Sequence, residues 1–389
     1  MIPDQKIAVI GAGIMGSSIA YSLTVRLPRA EVLLLDSQPG TFGATAYSPG
    51  IIRRHHTLTA DARLSGESLA VYRHWGEVVG GDCGYRPVGF LMLADRSQET
   101  AVRLNSDAAA PWGMLPEWLE ADDLRLRFPE LAVRDDDIAV LETDGGYGSP
   151  TLATASWQAG FRSRGGRHQV GVLVGGLDEH AAGWGVRTNI GVLDADAVVI
   201  ANGVGAAPLL ATVGLDVPVT PRRIGLAHIR LPRTRGAGLR TPSCIDDVTG
   251  TYFAPRDNGL LAVGVRARPE CDPALQVVPL GSDEIDEARS RGAQRVRGLA
   301  AAATVGSQVA GDGYTPDTRP ILGPADPALP GLYVAAGFSG GGFKIAPAVG
   351  EHVSAVIAEE PVPEQIQPYR LGRFSDGEPL TGENPYAYM

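Results

Sequence analysis

Residues 6–16 read KIAVIGAGIMG, and this stretch decides the fold. Lys6–Ile10 is an apolar, β-rich run that predicts a buried strand, and Gly11–Gly16 follows it without a gap. Helical periodicity continues over Ser17–Val25, and the apolar run Glu31–Asp36 (EVLLLD) predicts a second buried strand. The order strand, glycine turn, helix, strand is typical of an α/β chain with a parallel sheet.

The glycine turn matches the pattern G-x-G-x-x-G, in which each glycine has a physical role. Gly11 permits the tight turn, Gly13 lets the backbone approach a pyrophosphate, and Gly16 allows the helix to pack closely on the strand. Bare N–H groups at the helix N-terminus can bind phosphates, and the carboxylate of Asp36 can accept hydrogen bonds from ribose hydroxyls. We therefore predict a dinucleotide site rather than a glycine turn without a ligand. The motif suits NAD or FAD, whereas Asp36 argues against NADP.

Composition restricts the possible partners and compartments. The chain has 389 residues, a net charge of −10 and no basic run longer than two arginines, so we expect no nucleic-acid partner. Cys83, Cys244 and Cys271 form no CxxC pair, which argues against disulfides and a metal site and favours a reducing cytoplasm. No apolar run approaches the roughly twenty residues of a membrane span, so we expect no membrane association.

Two interleaved regions emerge from the pattern of the whole chain. We predict a discontinuous nucleotide-binding domain in residues 1–80, 146–216 and 311–389. A β-rich substrate-binding domain is predicted in residues 81–145 and 217–310. The chain would leave the first domain twice and return to it twice.

Local periodicity predicts several further elements. We expect helices over Leu58–Val79 and Thr151–Arg164, a strand pair at a sheet edge over Gly84–Ala94, and a small antiparallel meander within residues 170–200. The proline- and charge-rich tail, residues 360–389, is predicted to wrap the surface.

A second glycine-rich stretch, GFSGGGFK, occupies residues 337–344. It follows the predicted strand Leu332–Ala336 and precedes a helix predicted from Ala346 to Glu359. A helix N-terminus at Gly340–Phe343 would place positive potential beside a ligand that gains negative charge, as a flavin ring does at its N1–C2=O edge on reduction. We therefore predict that the first loop holds the phosphates of FAD and the second its ring. A nicotinamide dehydrogenase would leave the second loop unexplained.

Five motifs together resemble those of the D-amino acid oxidase-like flavoprotein superfamily, and within it most closely the sarcosine oxidase and dimethylglycine dehydrogenase branch. The resemblance runs in order through nearly the whole chain. It implies an α/β fold in which a glutathione-reductase-type, Rossmann-like FAD-binding domain is interleaved with an antiparallel β-sheet substrate domain that covers the ring. The motifs are GAGIMG…LLLD, residues 43–75, ADAVVIANGVGAAPLL, GYTPDTRPILG and GFSGGGFKIAPAVG.

The resemblance also implies which residues bind the cofactor. The first glycine loop and Asp36 would bind the ADP half, Val174 would meet adenine through its backbone, and Ser339–Lys344 would line the pyrimidine edge of the flavin. The implied set is Gly11, Gly13, Ile14, Met15, Gly16, Asp36, Ser37, Ala44, Thr45, Ile52, Val174, Gly203, Ser339, Gly340, Gly341, Gly342, Phe343 and Lys344.

Substrate-binding residues follow from the same resemblance. Relatives clamp a substrate carboxylate with the arginine of IIR and the lysine of GFSGxGFK, which correspond here to Arg53 and Lys344. A guanidinium can bind a carboxylate through two parallel hydrogen bonds, and a second cation fixes its tilt. Tyr252 is a further candidate on the substrate sheet, with a packed sheet tyrosine as the alternative. For Arg54, His55 and His56 we expect solvated or capping roles, although one of them could face the substrate.

Two departures from the family predict that FAD is bound without a covalent bond. Monomeric sarcosine oxidases carry a cysteine just before a YT pair, where this chain has Asp312 and Gly313. Dimethylglycine dehydrogenases use a histidine after the second strand, and Tyr47 stands near that place.

Three further departures concern the substrate pocket and the electron acceptor. Gly341 replaces a histidine, Gly50 replaces an arginine, and no lysine occurs near Ala262, where the oxidases have one that activates oxygen. The sequence therefore predicts a roomier, less basic pocket and leaves open whether O2 or another carrier accepts the electrons.

The expected activity is oxidation of the C–N bond of an amino acid by hydride transfer to flavin N5, which gives an imine. One alternative is an FAD-dependent 2-hydroxy acid dehydrogenase, for which His55 or His56 would have to act as the general base. The other is a non-catalytic, FAD-holding subunit of a larger complex. The oligomeric state stays open.

Overall fold

A computed structural model describes residues 5–181, 183–231, 241–256, 259–268 and 279–386, so Cys271 lies outside the described residues. The strands are β1 (Lys6–Ile10), β2 (Glu31–Asp36), β3 (Ile51–Ile52), β4 (Phe90–Asp95), β5 (Pro116–Leu119), β6 (Asp137–Glu142), β7 (Gly146–Tyr147), β8 (Arg167–Val170), β9 (Val174–His180), β10 (Gly183–Thr188), β11 (Gly191–Ala195), β12 (Ala197–Ile200), β13 (Thr220–Arg230), β14 (Ser243–Asp246), β15 (Thr251–Arg256), β16 (Leu260–Arg268), β17 (Ala303–Tyr314), β18 (Ile321–Pro324) and β19 (Leu332–Ala336). The α-helices are α1 (Ile14–Arg26), α2 (Gly43–Ala46), α3 (Thr59–Arg73), α4 (Trp75–Val78), α5 (Glu99–Ala109), α6 (Ala121–Arg127), α7 (Pro150–Ser163), α8 (Ala206–Ala211), α9 (Ser282–Arg295) and α10 (Gly342–Ile357).

A six-stranded sheet in the order β18-β19-β12-β1-β2-β8 forms the first layer. Its strands pair in parallel, except that β18 runs antiparallel to β19. Ile7 and Val9 of β1 pack into one apolar cluster with α1, α7 and α10, and Ala8 and Ile10 pack into another with α8 and the β9–β11 meander. This alternation follows from the pleat of a strand that is covered on both faces.

An eight-stranded sheet in the order β17-β13-β16-β15-β14-β4-β6-β5 forms the second unit. Neighbouring strands in it are antiparallel, apart from the parallel pair β14–β4. Helix α9 packs on this sheet, and its buried Arg295 forms ion pairs with Asp137 and Asp246. The two sheets confirm the predicted fold class, whereas the domain boundaries stay a prediction.

The strand pair predicted over Gly84–Ala94 is wrong. Only Phe90–Asp95 is a strand, and it lies inside the eight-stranded sheet between β14 and β6. Arg86 makes an isolated bridge to Tyr147. Pro87 has no N–H to extend that ladder, and Gly89 has a φ of +89°, which breaks the extended backbone.

Helix α10 begins four residues earlier than predicted, because Pro347 lies inside it rather than near its start. Proline cannot donate to the carbonyl four residues before it, and in α10 that carbonyl belongs to Phe343. Tyr72 Oη donates to Phe343 O at 2.6 Å and so replaces the missing bond. The predicted helix Leu58–Val79 is likewise divided into α3 and α4.

Within the described ranges, no helix combines the length and the apolar character that crossing a bilayer requires.

Candidate active site

The first glycine loop can be built only with glycine at its two ends. Gly11 has a φ of +100°, and a Cβ there would lie 2.6 Å from Ala201 O. A Cβ at Gly16 would lie 1.8 Å from Gly11 O, which shows how closely α1 packs on the loop. The predicted roles of these two glycines in the turn and in helix packing are therefore seen directly.

Asp36 lies against this loop. Its Oδ2 accepts a hydrogen bond from Ala12 N at 2.7 Å, and its Oδ1 accepts one from Gln38 N at 2.9 Å. Val172 N donates to Asp36 O at 2.9 Å, so the meander that carries Val174 starts beside the end of β2. The residues predicted to bind the ADP half thus meet at the carboxyl ends of β1 and β2.

Asn202 is a candidate site residue that the sequence analysis missed. It follows β12, and a Cβ at Gly11 would lie 2.6 Å from its Cα. Its Oδ1 is buried and has no hydrogen-bond partner among the described residues. A buried amide oxygen without a partner beside a glycine cradle suits a ligand that donates hydrogen bonds. Gly203, a predicted cofactor residue, comes next and has a φ of +59°.

The second glycine loop is bonded to the end of β17. Ser339 and Gly340 have φ values of +49° and +80°, which form a sharp turn before α10. Ser339 N donates to Gly313 O at 2.9 Å, and Gly340 N donates to Asp312 Oδ2 at 2.7 Å. Strand β17 belongs to the eight-stranded sheet, so these bonds fix that sheet against the loop of the six-stranded one.

The two glycine loops meet through their helices. A Cβ at Gly342 would lie 3.1 Å from Met15 Cε, and Ser18 Oγ donates to Ala346 O at 2.8 Å. Ile52 is fully buried in the apolar cluster that also holds Met15 and Phe343. One extended ligand could therefore contact both loops.

The remaining predicted cofactor residues lie around this junction. Thr45 Oγ1 accepts a hydrogen bond from Ile14 N at 3.1 Å, which places α2 and its Ala44 beside the start of α1. Gly341 lies in the second loop and is partly exposed. Ser37 lies in the bend after β2 and is exposed.

Arg53 and Lys344 lie close enough for their charges to repel, and neither forms an ion pair within the described ranges. Arg53 Nε is buried without a hydrogen-bond partner there, and its guanidinium carbon lies 5.4 Å from the centroid of the Phe90 ring. Lys344 is 8% exposed, and its Nζ makes a long bond of 3.4 Å to Gly341 O. Burial, followed by the charge of Arg53, lowers the pKa of Lys344 to about 7.

Arg54 has a structural role, contrary to the expectation of a solvated or capping residue. It is buried, its Nε donates to Glu142 Oε1 at 2.8 Å, and its Nη1 donates to Gly113 O at 2.6 Å. It also forms an ion pair with Asp144. Arg54 is therefore held in ion pairs with carboxylates of the protein, whereas Arg53 forms no ion pair within the described ranges.

His55 and His56 are also not solvated. Burial and the charge of Arg53 lower the pKa of both, that of His55 to about 3, so both imidazoles are neutral at pH 7. His56 Nε2 is 2.9 Å from Ser65 Oγ, and His55 Nε2 is hydrogen-bonded to the hydroxyl of Tyr386. The tail that carries Tyr386 is thus partly buried rather than wrapped on the surface.

Asp312 and Tyr252 form an electrostatic cluster with Lys344. Burial raises the pKa of Asp312 to about 6, against hydrogen bonds from Gly340 and Gly313 and the charge of Lys344, which lower it. Burial and the nearby Asp312 raise the pKa of Tyr252 to about 12, so its hydroxyl stays protonated. A carboxyl that titrates near pH 6 at this position was not expected from the sequence.

Arg319 is a second residue that the sequence analysis missed. Its Nε pairs with Asp61 Oδ2 at 2.6 Å, and Tyr369 Oη donates to Asp61 Oδ1 at 2.7 Å. Both Arg319 and Asp61 act electrostatically on Lys344. The only sequence signal was the motif GYTPDTRPILG, which carries the arginine but does not indicate its partner.

Taken together, these residues fit FAD. The first loop offers a close approach to the backbone and an α1 N-terminus without a side-chain cap. Asp36 and the unpaired oxygen of Asn202 supply acceptors, and the second loop, with the N-terminus of α10, supplies positive potential for a ring.

A family model described as FAD dependent oxidoreductase matches residues 6–356. The chain belongs to this family, and the protein is therefore an FAD-dependent oxidoreductase. The resemblance to the D-amino acid oxidase-like superfamily and the prediction of FAD as cofactor are confirmed.

Sequence identity to individual relatives is low, but the matches extend over most of this chain. The 4-methylaminobutanoate oxidase (formaldehyde-forming) of Paenarthrobacter nicotinovorans is 26% identical over 363 residues, which cover 90% of this chain and 43% of that protein. The peroxisomal sarcosine oxidase of Homo sapiens is 24% identical over 382 residues, which cover 94% of this chain and 95% of that one. The crystal structure of L-proline dehydrogenase from P. horikoshii, 24% identical, superposes with a TM-score of 0.86 over 97% of this chain and 100% of that one, which shows the shared fold.

Proposed function

We propose that this protein oxidises the C–N bond of an amino acid, a primary or secondary amine that bears a carboxylate. The observation that carries the proposal is the pair of cations Arg53 and Lys344, which lie beside the second glycine loop without an anionic partner in the described residues. Two buried cations that form no ion pair are costly for the fold. A substrate carboxylate that accepts hydrogen bonds from both would remove that cost.

Arg53 and Lys344, together called the carboxylate clamp, would determine how the substrate is oriented. FAD, when bound, supplies a ring that accepts a hydride at N5. Arg53 and Lys344 would hold the carboxylate so that the α-hydrogen faces the ring. Loss of the α-hydrogen with its electron pair would let the nitrogen lone pair form the C=N bond of an iminium ion, which would become the imine by releasing an N–H proton to water. The amine must be neutral for this step, and the charges of Arg53 and of protonated Lys344 favour its neutral form.

The names of the relatives support an amine rather than an alcohol as substrate. Sarcosine oxidase, 4-methylaminobutanoate oxidase and L-proline dehydrogenase are all named for amines that carry a carboxylate. Oxidation of a 2-hydroxy acid would need a general base to take the hydroxyl proton. His55 and His56 are less suited to that role, because burial and nearby cations lower the pKa of both.

The test is an anaerobic substrate screen in which bleaching of the flavin absorbance reports reduction. N-methylated, cyclic and primary amino acids are compared with 2-hydroxy acids of matched carbon skeleton. We expect bleaching by at least one amino acid and none by the hydroxy acids. Bleaching by hydroxy acids alone would contradict the proposal, and no bleaching at all would favour a non-catalytic subunit.

The clamp itself is tested with Arg53→Gln. We expect KM for the carboxylated substrate to rise about 100-fold, because charge-assisted hydrogen bonds worth roughly 3 kcal/mol are lost. Oxidation of the matching amine without the carboxylate should change little. Arg167→Gln, which removes a charge from an exposed pair with Glu31, is the control. An unchanged KM in Arg53→Gln would end this assignment.

A further inference from the structure

The C-terminal tail reaches the segment that carries Arg53. Glu383 N donates to Thr57 O at 2.7 Å. The carboxylate of Glu383 accepts hydrogen bonds from Thr59 N at 3.1 Å and Thr59 Oγ1 at 2.6 Å. Asn105 Nδ2 donates to Asn384 O at 2.9 Å, and Asn384 Nδ2 donates to Asn105 Oδ1 at 3.2 Å. These polar contacts fix the tail between the loop after β3 and helix α5.

Tyr386 is the residue that this anchoring buries. It is 8% exposed and packs against an apolar cluster that belongs to the eight-stranded sheet and to β3. Phe90 in that cluster is the ring under the guanidinium of Arg53, and Tyr386 lies close enough to interact with the charge of Arg53. Tyr252, the predicted substrate residue, packs against the same cluster. The cluster includes Ile51, Phe90, Met92, Ile245 and Ala254.

His55 holds the hydroxyl of Tyr386 in one orientation. Ser106 Oγ donates to Val102 O at 2.8 Å, so it can accept a hydrogen bond from His55 Nδ1–H, which is 3.4 Å away. The neutral imidazole then has its lone pair on Nε2, which accepts the O–H of Tyr386. The two rings also stack, with centroids 5.9 Å apart and planes 13° from parallel. A tyrosine that is stacked and hydrogen-bonded in this way forms a rigid surface.

We propose that residues 382–386 form one wall of the substrate site and that Tyr386, positioned by His55, limits the size of the apolar side chain that fits beside the carboxylate held by Arg53. This inference rests on the proposed function, because it needs the carboxylate at Arg53. Such a wall would favour a substrate with a small apolar side chain.

The test measures binding rather than turnover, so it does not require knowledge of the true substrate. Acetate and 4-methylpentanoate are titrated into the FAD-bound protein, and the change in flavin absorbance gives the Kd of each. In Tyr386→Ala we expect the ratio of the acetate Kd to the 4-methylpentanoate Kd to rise about tenfold or more, because a ring's volume is removed. Tyr386→Phe, which keeps the ring, should leave the ratio within about threefold of the original protein.

Tyr21→Phe is the control for Tyr386→Phe, because it also removes a buried tyrosine hydroxyl, which bonds Val78 O at 2.8 Å beside a different apolar cluster. If Tyr386→Ala does not fold, Tyr386→Trp replaces it, and the larger ring should weaken 4-methylpentanoate selectively. If both carboxylates bind but neither variant changes the ratio, the inference about the tail is overturned. If neither carboxylate binds to the original protein, the carboxylate clamp fails and the inference fails with it.

Discussion

At the scale of single residues, Lys344 has properties that make its charge depend on pH. Because burial and Arg53 lower its pKa to about 7, it is protonated below that pH and neutral above it. An anion that needs the protonated lysine should therefore bind less tightly as the pH rises. We expect the Kd of acetate to increase by up to about tenfold per unit above pH 7, measured by flavin absorbance between pH 6 and 9.

Lys344→Gln separates this effect from other titrations. The variant should bind acetate at pH 6 about as weakly as the original protein does at pH 9, and its affinity should not change with pH in that range. An acetate affinity of the original protein that stays constant from pH 6 to 9 would contradict the assignment of Lys344.

Asp312 is expected to destabilise the protein at neutral pH. The pKa of its carboxyl is raised from 3.8 to about 6 in the folded state, so the folded state holds the proton more tightly than the unfolded chain does. The stability that the protonated carboxyl of Asp312 contributes is complete below about pH 4 and is lost as the pH rises through about 6. Asp312→Asn keeps an acceptor for Gly340 N, and urea unfolding at pH 7.5 should show a gain of roughly 1–3 kcal/mol.

The control for Asp312→Asn is Asp376→Asn, which removes an exposed carboxylate paired with Arg370. Exposed pairs contribute about 0–1 kcal/mol, so the control should lose little stability and gain none. A loss of stability in Asp312→Asn at pH 7.5 would mean that the ionised carboxylate stabilises the loop.

At the scale of elements, the close crossing of α1 and α10 depends on Gly350. A Cβ at Gly350 would lie 2.2 Å from Ser18 Oγ and 3.0 Å from Ser18 O, so the two helices must move apart. We expect Gly350→Ala to lower the free energy of unfolding by about 1–3 kcal/mol. The Kd for FAD should also rise, because these helices carry the two glycine loops. Urea denaturation and a flavin-fluorescence titration measure the two effects.

Gly76→Ala in α4 provides the comparison, because a Cβ there meets no atom within 4 Å. Helix propensity alone should then make it neutral or stabilising by up to about 1 kcal/mol. Equal effects of the two substitutions would show that the crossing of α1 and α10 is not tightly packed.

At the scale of the whole molecule, FAD should act as a stabilising ligand held without a covalent bond. Free FAD at about 100 times its Kd should add about 2.7 kcal/mol to the stability of the folded state. The Tm of the apoprotein should therefore rise with the logarithm of the FAD concentration, measured by circular dichroism. Acid precipitation should leave the flavin in the supernatant, and a yellow pellet would instead indicate a covalent bond.

The sequence by itself determined the features that short local patterns encode. Alternating and continuous apolar runs predicted β1, β2 and β19, because strand periodicity depends on neighbouring residues. The two glycine loops predicted one FAD site, because each places a helix N-terminus after a strand. The resemblance of five motifs then indicated the family that the comparison confirms.

Only the tertiary structure decided which of several similar residues could belong to the site. Arg53 and Arg54 are adjacent, yet Arg54 is paired with Glu142, 88 positions away, while Arg53 Nε has no partner in the described ranges. His55 meets Tyr386 across 331 positions. Such contacts depend on how distant strands and the tail pack together, and no local periodicity encodes them. The charge state and accessibility of each side chain follow from that packing, because burial and neighbouring charges determine its pKa.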